Sequence, residues 1–166
     1  MNLKNCSSKF ALKFGKIYQI SHKGNAMKKI LLSLLLAFSA VFAWESEVLA
    51  KIDKADDLKI APIRANGVTG TPTWIWEVVV DGRLFVRPYN GENSSWYKSA
   101  IAYKTGIIVA AGKTYEVDFA PATNSKLNDK IDQAYRTKYS KSPYMRHMIS
   151  SKCRETTIEI IQKEQK

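Results

Sequence analysis

The chain has 166 residues, with 26 Lys and Arg against 15 Asp and Glu, two Cys and two His. Residues 1–43 hold seven of the lysines and no acid, and setting them aside leaves 19 basic against 15 acidic side chains, +4 over residues 44–166. That near-balance, with no basic face interleaved among the aromatic residues, argues against nucleic acid as a partner. One Cys and one His belong to the same stretch, so only Cys153 and His147 remain, which excludes an intramolecular disulfide, a Cys/His zinc site and a paired-Cys redox motif.

Met27-Lys28-Lys29 precedes a 14-residue, largely apolar run from Ile30 to Ala43, and Val41-Phe42-Ala43 suits a cleavage site. The pattern predicts a secretory signal peptide over 27–43, cleaved to leave Trp44 first. A membrane anchor needs roughly 20 apolar residues, so no stable anchor is expected after cleavage. Residues 1–26 are too long for a leader's basic region and read as upstream translation with Met27 as the start. With no twin Arg, export is of the unfolded chain, to the periplasm. In that oxidising space an unpaired Cys153 is expected to be buried and inert rather than bridged between chains.

Residues 44–166 read as a single domain. Ile52, Ala55 and Leu58 recur at helical spacing through Lys51 to Lys59 and predict a short helix. After a loop marked by Asn66-Gly67, Gly70 and Pro72, Trp74, Trp76, Val78 and Val80 alternate with Ile75, Glu77 and Val79 as one strand. Asp81-Gly82 then joins this strand to Arg83–Arg87 in a two-residue type I′ hairpin. Pro88 and Asn90-Gly91 stop the strand, and Asn93 or Ser94 caps a helix through Lys104, ended by Gly106. A second hairpin turns at Gly112-Lys113, with Tyr115, Val117 and Phe119 on one face and Thr114, Glu116 and Asp118 toward water. Asn124 or Ser125 caps a helix carrying Leu127, Ile131, Ala134, Tyr135, Lys138 and Tyr139, with Asp132 set to pair with Arg136 four residues on. Glu155 to Gln162 is a final strand, on the alternation of Thr156, Ile158 and Ile160.

The residues support little nucleophilic or acid–base chemistry. No glycine pattern of a nucleophile elbow surrounds any Ser, and His147 and Cys153 lack a third group. Asp56 with Asp57 and Asp129 with Asp132 read as capping and solvated acids. The informative segment is Arg83 to Lys98, where a strand-end Arg87, the Asn93-Ser94-Ser95 hydroxyl and amide groups and a helix start combine the equipment for an anion such as phosphate. The same residues also serve a plain cap, with Arg87 paired to a sheet acid such as Glu77. Trp74, Trp76, Trp96, Tyr89, Tyr97 and Tyr103 could stack a planar ring or form core and dimer contacts.

Taken together, Thr71–Trp76, Gly82–Gly91, Ser95-Trp96-Tyr97, Val117–Pro121 and Asn128–Tyr139 resemble the bacterial domain-of-unknown-function 2255 family over residues 53–162. That family is similar to the flavin-binding split β-barrels, which include pyridoxamine-phosphate oxidases and deazaflavin-dependent nitroreductases. The resemblance implies an α+β fold, a small split β-barrel with two or three helices, assembled as a homodimer. It implies FMN or a related flavin, without metal, with Thr73 and Trp74 along the ring and Arg87, Ser95 and Lys98 at the phosphate. The activity implied is that of a flavin- or deazaflavin-dependent oxidoreductase. The alternative is a cofactor-free periplasmic binding or interaction module.

Overall fold

The computed structural model describes residues 44–163. The expected signal peptide and upstream segment lie outside the described residues. In chain order the elements are α1 (Ser46–Ala55), β1 (Lys59–Pro62), β2 (Thr73–Trp74), β3 (Glu77–Val80), β4 (Arg83–Val86), a 3-10 turn (Gly91–Asn93), α2 (Ser95–Tyr103), β5 (Thr105–Ala110), β6 (Lys113–Pro121), α3 (Ser125–Lys138), α4 (Met145–Met148), α5 (Ser151–Arg154) and β7 (Ile158–Gln162). The class is α+β. Besides the two or three helices expected, there are two single-turn helices, α4 and α5, between Tyr139 and β7.

All seven strands form one antiparallel sheet in the order β2-β1-β5-β6-β7-β4-β3. Only Ile75 and Trp76 separate β2 at one end from β3 at the other. A flat sheet of this size would hold its outer strands roughly 29 Å apart at ~4.8 Å per strand. Three Cα steps reach at most about 11 Å, so the sheet must curl until its ends meet. The run Thr73–Val80 is therefore two strands and not the single one expected. Thr73 and Trp74 pair with Ile60 and Lys59 of β1, whereas Glu77–Val80 pair with β4. Period-two alternation cannot reveal a strand that changes partners midway.

Side-chain alternation divides the interior in two. Leu84 and Val86 join Leu49, Ile52, Leu58, Ile60, Ile108, Val117 and Ile160 in the larger core, which Trp44 completes by donating its indole N–H to the Ile160 carbonyl at 2.8 Å. Phe85, between Leu84 and Val86, faces the other way and packs with Val78, Val80, Ile131, Tyr135, Met148 and Cys153 beneath α3. The buried thiol agrees with an inert Cys153, whose pKa is pushed up by burial.

Local chemistry explains where boundaries moved. Helix α1 lies earlier than the Lys51–Lys59 spacing suggested, because Asp56 adopts a left-handed φ of 48° and closes the helix by donating its N–H to the Ile52 carbonyl. Leu58 is buried at the entry to β1, a strand of continuous burial at Ile60-Ala61-Pro62 that has no alternation to detect. The Asp81-Gly82 turn has φ of 50° and 71°, as a type I′ hairpin requires, and Val80 pairs with Arg83. The second hairpin turns at Ala111-Gly112, one residue earlier than expected, with Ala111 at φ 49°. Tyr115, Val117 and Phe119 are buried as their alternation implied. Helix α2 ends at Lys104 in a left-handed cap. Gly106 lies in β5, where a Cβ would come within 2.5 Å of the Ala61 carbonyl oxygen. β7 starts at Ile158, since residues 151–154 form α5.

Candidate functional site

Where β2, the end of β4 and the start of α2 converge, a cleft of about 800 Å³ opens beside the join of the sheet's two ends. Five aromatic residues line it: Trp74 from β2, Trp76 from the β2–β3 crossing, Tyr89 after β4, Trp96 on α2 and Tyr144 before α4. Thr73, Asn90, Asn93, Ser94 and Ser95 supply polar groups, and buried Ile75, Arg87 and Met148 complete the lining. The volume and the pairing of apolar walls with a few polar groups suit a small molecule.

The polar end is the N-terminus of α2. Ser94 occupies the N-cap position, yet its side chain makes no cap hydrogen bond, and its carbonyl accepts from Lys98 N–H at 3.1 Å. The first-turn amides therefore have no side-chain cap, which leaves them able to receive an acceptor or an anion. Gly91 shapes the approach. It sits at φ 56°, and a Cβ there would meet Lys152 at 2.8 Å, so the turn leading into α2 packs closely on α5.

Arg87 departs from its expected role. It lines the cleft but is 0% exposed, and its guanidinium is held from four sides. Nε donates to Thr157 Oγ1 at 2.9 Å, Nη1 to Asp132 Oδ1 at 2.6 Å and to the Met148 carbonyl at 3.0 Å, and Nη2 to Asn128 Oδ1 at 2.9 Å. Four of five N–H donors are thus spent inside the protein. Asp132 pairs with Arg87 and Arg154, not with Arg136, and Arg154 reaches on to Asp129 at 2.7 Å. The sheet acid considered for Arg87, Glu77, is engaged elsewhere, with Lys138 at 2.6 Å.

The remaining expected site residues separate. Thr73, Trp74 and Ser95 all line the cleft, with Trp74 67% exposed on its rim. Lys98 is exposed on α2 and is not part of the lining, because the first turn of the helix faces the cleft while Lys98 lies a turn further on. Among the described residues, Arg87 is the one charged residue that lines the cleft. Sequence reasoning missed Tyr144 and Met148, which come from the segment after α3, and nothing in the local pattern there marks a wall. His147 and Cys153 lie on α4 and α5 and meet at one acceptor, the Tyr89 carbonyl, at 2.6 Å from His147 Nε2 and 3.5 Å from Cys153 Sγ. They hold a cleft wall in place. Among the described residues, no group of three or more His, Cys, Asp or Glu could hold a metal ion, and no helix is long and apolar enough to cross a membrane.

The family model of uncharacterized proteins conserved in bacteria, DUF2255, matches residues 48–160. The chain belongs to that family. No curated protein matches the sequence significantly. Among solved structures, the conserved hypothetical protein Rv2991 from Mycobacterium tuberculosis is similar at a TM-score of 0.54 and 11% identity, over 74% of this chain and 81% of that one. ChuZ of Campylobacter jejuni is similar at a TM-score of 0.55 and 13% identity, over 84% of this chain. This chain spans 62% of the ChuZ chain. At such identities the likeness establishes the fold, the split barrel that the family resemblance implied.

Proposed function

We propose that the cleft binds a small planar ligand, with a flavin as the first candidate, and that a redox reaction of that flavin is the activity. The observation that carries this reading is the pairing of aromatic walls at Trp74, Trp76 and Tyr144 with the uncapped amides of α2 in one cleft of ligand size. Thr73 and Trp74 would border the ring, and Ser95 with the α2 amides would meet the polar tail. Arg87 would act from beneath through its remaining N–H, while Lys98 has no contact to offer. A flavin brings hydride and electron chemistry with it, and the chain's part is to stack, orient and shield the ring. The proposal includes export through the Ile30–Ala43 leader. It also includes a symmetric dimer, in which exposed Trp74, Tyr89 and Tyr144 are buried against a second copy.

One observation favours a second reading, a binding module without a flavin: the sole charged residue lining the cleft is neutralised by Asp132. An uncharged planar ligand then suits the site better than a phosphorylated one. Riboflavin and FMN titrated against the purified protein separate the two. Tighter binding of FMN supports the phosphate arrangement, equal affinity confines recognition to the ring, and binding of neither removes the flavin. Flavin absorbance in protein taken from its native compartment, with the mass from light scattering, tests cofactor and dimer together.

A further inference from the structure

Adjoining the cleft at Trp76 is a polar cluster that ligand binding does not require, buried at Glu77 and open to solvent at Asp53 and Asp56. Glu77, the first residue of β3, is 0% exposed, yet it carries a carboxylate. Its Oε1 accepts from Lys138 Nζ at 2.6 Å and its Oε2 lies 3.0 Å from the Tyr139 hydroxyl. From α1, Asp53 accepts from the same Lys138 at 3.0 Å, and Asp56 lies 2.5 Å from the Tyr139 hydroxyl. Tyr135 of α3 also lies in the field of Glu77, and β4 presents apolar Val86 opposite it. Three carboxyl groups therefore surround one ammonium and one phenol.

The cluster meets the cleft at Trp76. The Tyr139 ring lies flat against Trp76, with centroids 4.0 Å apart and planes 2° from parallel. Trp76 is a cleft wall, and its carbonyl is held by the Tyr135 hydroxyl at 3.2 Å. One face of the indole is thus covered by Tyr139 and cannot also stack a ligand.

We propose that Tyr139 is a positioning residue, which sets the Trp76 wall of the cleft according to whether Glu77 carries a proton. The proton count forces this coupling. A tyrosine has one O–H to donate, and two carboxylates, Asp56 and Glu77, lie within reach of it. When Glu77 is protonated, its O–H donates to the Tyr139 oxygen and Tyr139 donates to Asp56 or to the Glu77 carbonyl 3.1 Å away, so neither carboxyl group opposes the phenol. When Glu77 loses that proton to solvent, both carboxylates face one phenol oxygen. Tyr139 then turns its O–H to buried Glu77, and half-exposed Asp56, 3.6 Å from Lys138 Nζ, is left to that ammonium and to water. The ring shifts with the exchanged bond, and Trp76 moves with it. Burial raises the Glu77 pKa to about 7 against the opposing pull of Lys138, so the change falls near neutral pH. The effect on a ligand rests on the cleft reading above, but the coupling itself does not.

The test is first run on the ligand-free protein, by near-UV circular dichroism from pH 5 to 9. A change in the aromatic band centred near pH 7 is expected, abolished in Glu77→Gln and in Trp76→Phe. Tyr139→Phe should keep the stacked band and lose its pH dependence, which a merely structural tyrosine would not do. A wild-type band that is flat with pH, or a step that survives Glu77→Gln, overturns the proposal. Riboflavin titration then reads the consequence: affinity should fall about fivefold as the pH rises through 7, the worth of one hydrogen bond, and be pH-independent in Glu77→Gln. Riboflavin that fails to bind while the ligand-free step persists upholds the coupling and removes the flavin reading. A step in the band with riboflavin affinity unchanged upholds the coupling and places the ring away from Trp76.

Discussion

Replacing Arg87 by Met tests the reassignment of this residue from ligand anchor to buried frame. The substitution deletes four hydrogen bonds within one guanidinium, those to Thr157, Asp132, the Met148 carbonyl and Asn128, while keeping much of the side-chain volume. Two losses are softened. Asp132 keeps its pairing with Arg154 at 2.7 Å, and Asn128 Oδ1 still lies 2.8 Å from the Thr157 hydroxyl. The Met148 carbonyl loses its only side-chain donor, and the cation over the Tyr135 ring, 5.3 Å from its centroid, disappears. Removing one partner from a buried pair costs about 3 to 5 kcal/mol, and the softened losses place the expectation near the lower end of that range. Against a typical total of about 5 to 15 kcal/mol, such a loss moves the urea midpoint markedly with little change in slope. Arg87→Lys should recover less than half, since an ammonium can follow the Asp132 contact but not the fork to Thr157 and Asn128. A loss below about 1 kcal/mol, together with a tenfold weaker affinity for FMN but not for riboflavin, would refute the structural assignment and restore the phosphate anchor.

Three further outcomes follow from single positions. Because the folded protein raises the Glu77 pKa from 4.5 to about 7, the native state holds a proton that the unfolded chain has released, so stability should fall as pH rises through that window. Urea unfolding of Glu77→Gln should be flat over the same range and exceed wild type above pH 7 by about 1 to 3 kcal/mol. Gly106→Ala places a methyl 2.5 Å from the Ala61 carbonyl oxygen and 2.7 Å from Pro62 Cα, both backbone atoms, and should cost at least about 2 kcal/mol in thermal unfolding. Ala111→Gly relieves a side chain held at φ 49° in the second hairpin turn, and a gain of about 0.5 kcal/mol should remain after the added freedom of the unfolded chain.

Features governed by neighbours in sequence were legible. The Asp81-Gly82 hairpin, the Asn124 cap, whose Oδ1 accepts from Leu127 N–H at 2.9 Å, and the buried stripe of β6 each follow from a few adjacent residues. Features governed by distant partners were not. Lys59–Pro62 lacks alternation because three of its four residues are buried in succession, and the short helices α4 and α5 owe their place to contacts made around Tyr89. The site divided along the same line. Thr73, Trp74 and Ser95 sit in segments whose own pattern brings them to a strand edge or helix start, and they reached the cleft. The partners of Arg87 could not be named from sequence because Asp132, Asn128 and Thr157 stand 41 to 70 residues away, where no spacing rule connects them.

The change of partner between Trp74 and Glu77 also explains why aromatic surface and charge are separated in this cleft. A strand that leaves one end of the sheet and joins the other must place its crossing residues at the seam, and those residues here are buried Ile75 and half-buried Trp76. Both line the cleft, so this part of its wall is set by the topology itself. The cation, by contrast, arrives at the buried end of β4, where an unpaired charge would cost more than any ligand contact returns. Asp132 neutralises it from α3, and the uncapped amides of α2, which carry only partial charge, are what the cleft leaves to meet an anion on the reading proposed above. If the cleft takes the planar ligand proposed, recognition is weighted toward its flat ring, and substitutions at the seam should alter binding more than any change in surface lysines such as Lys98.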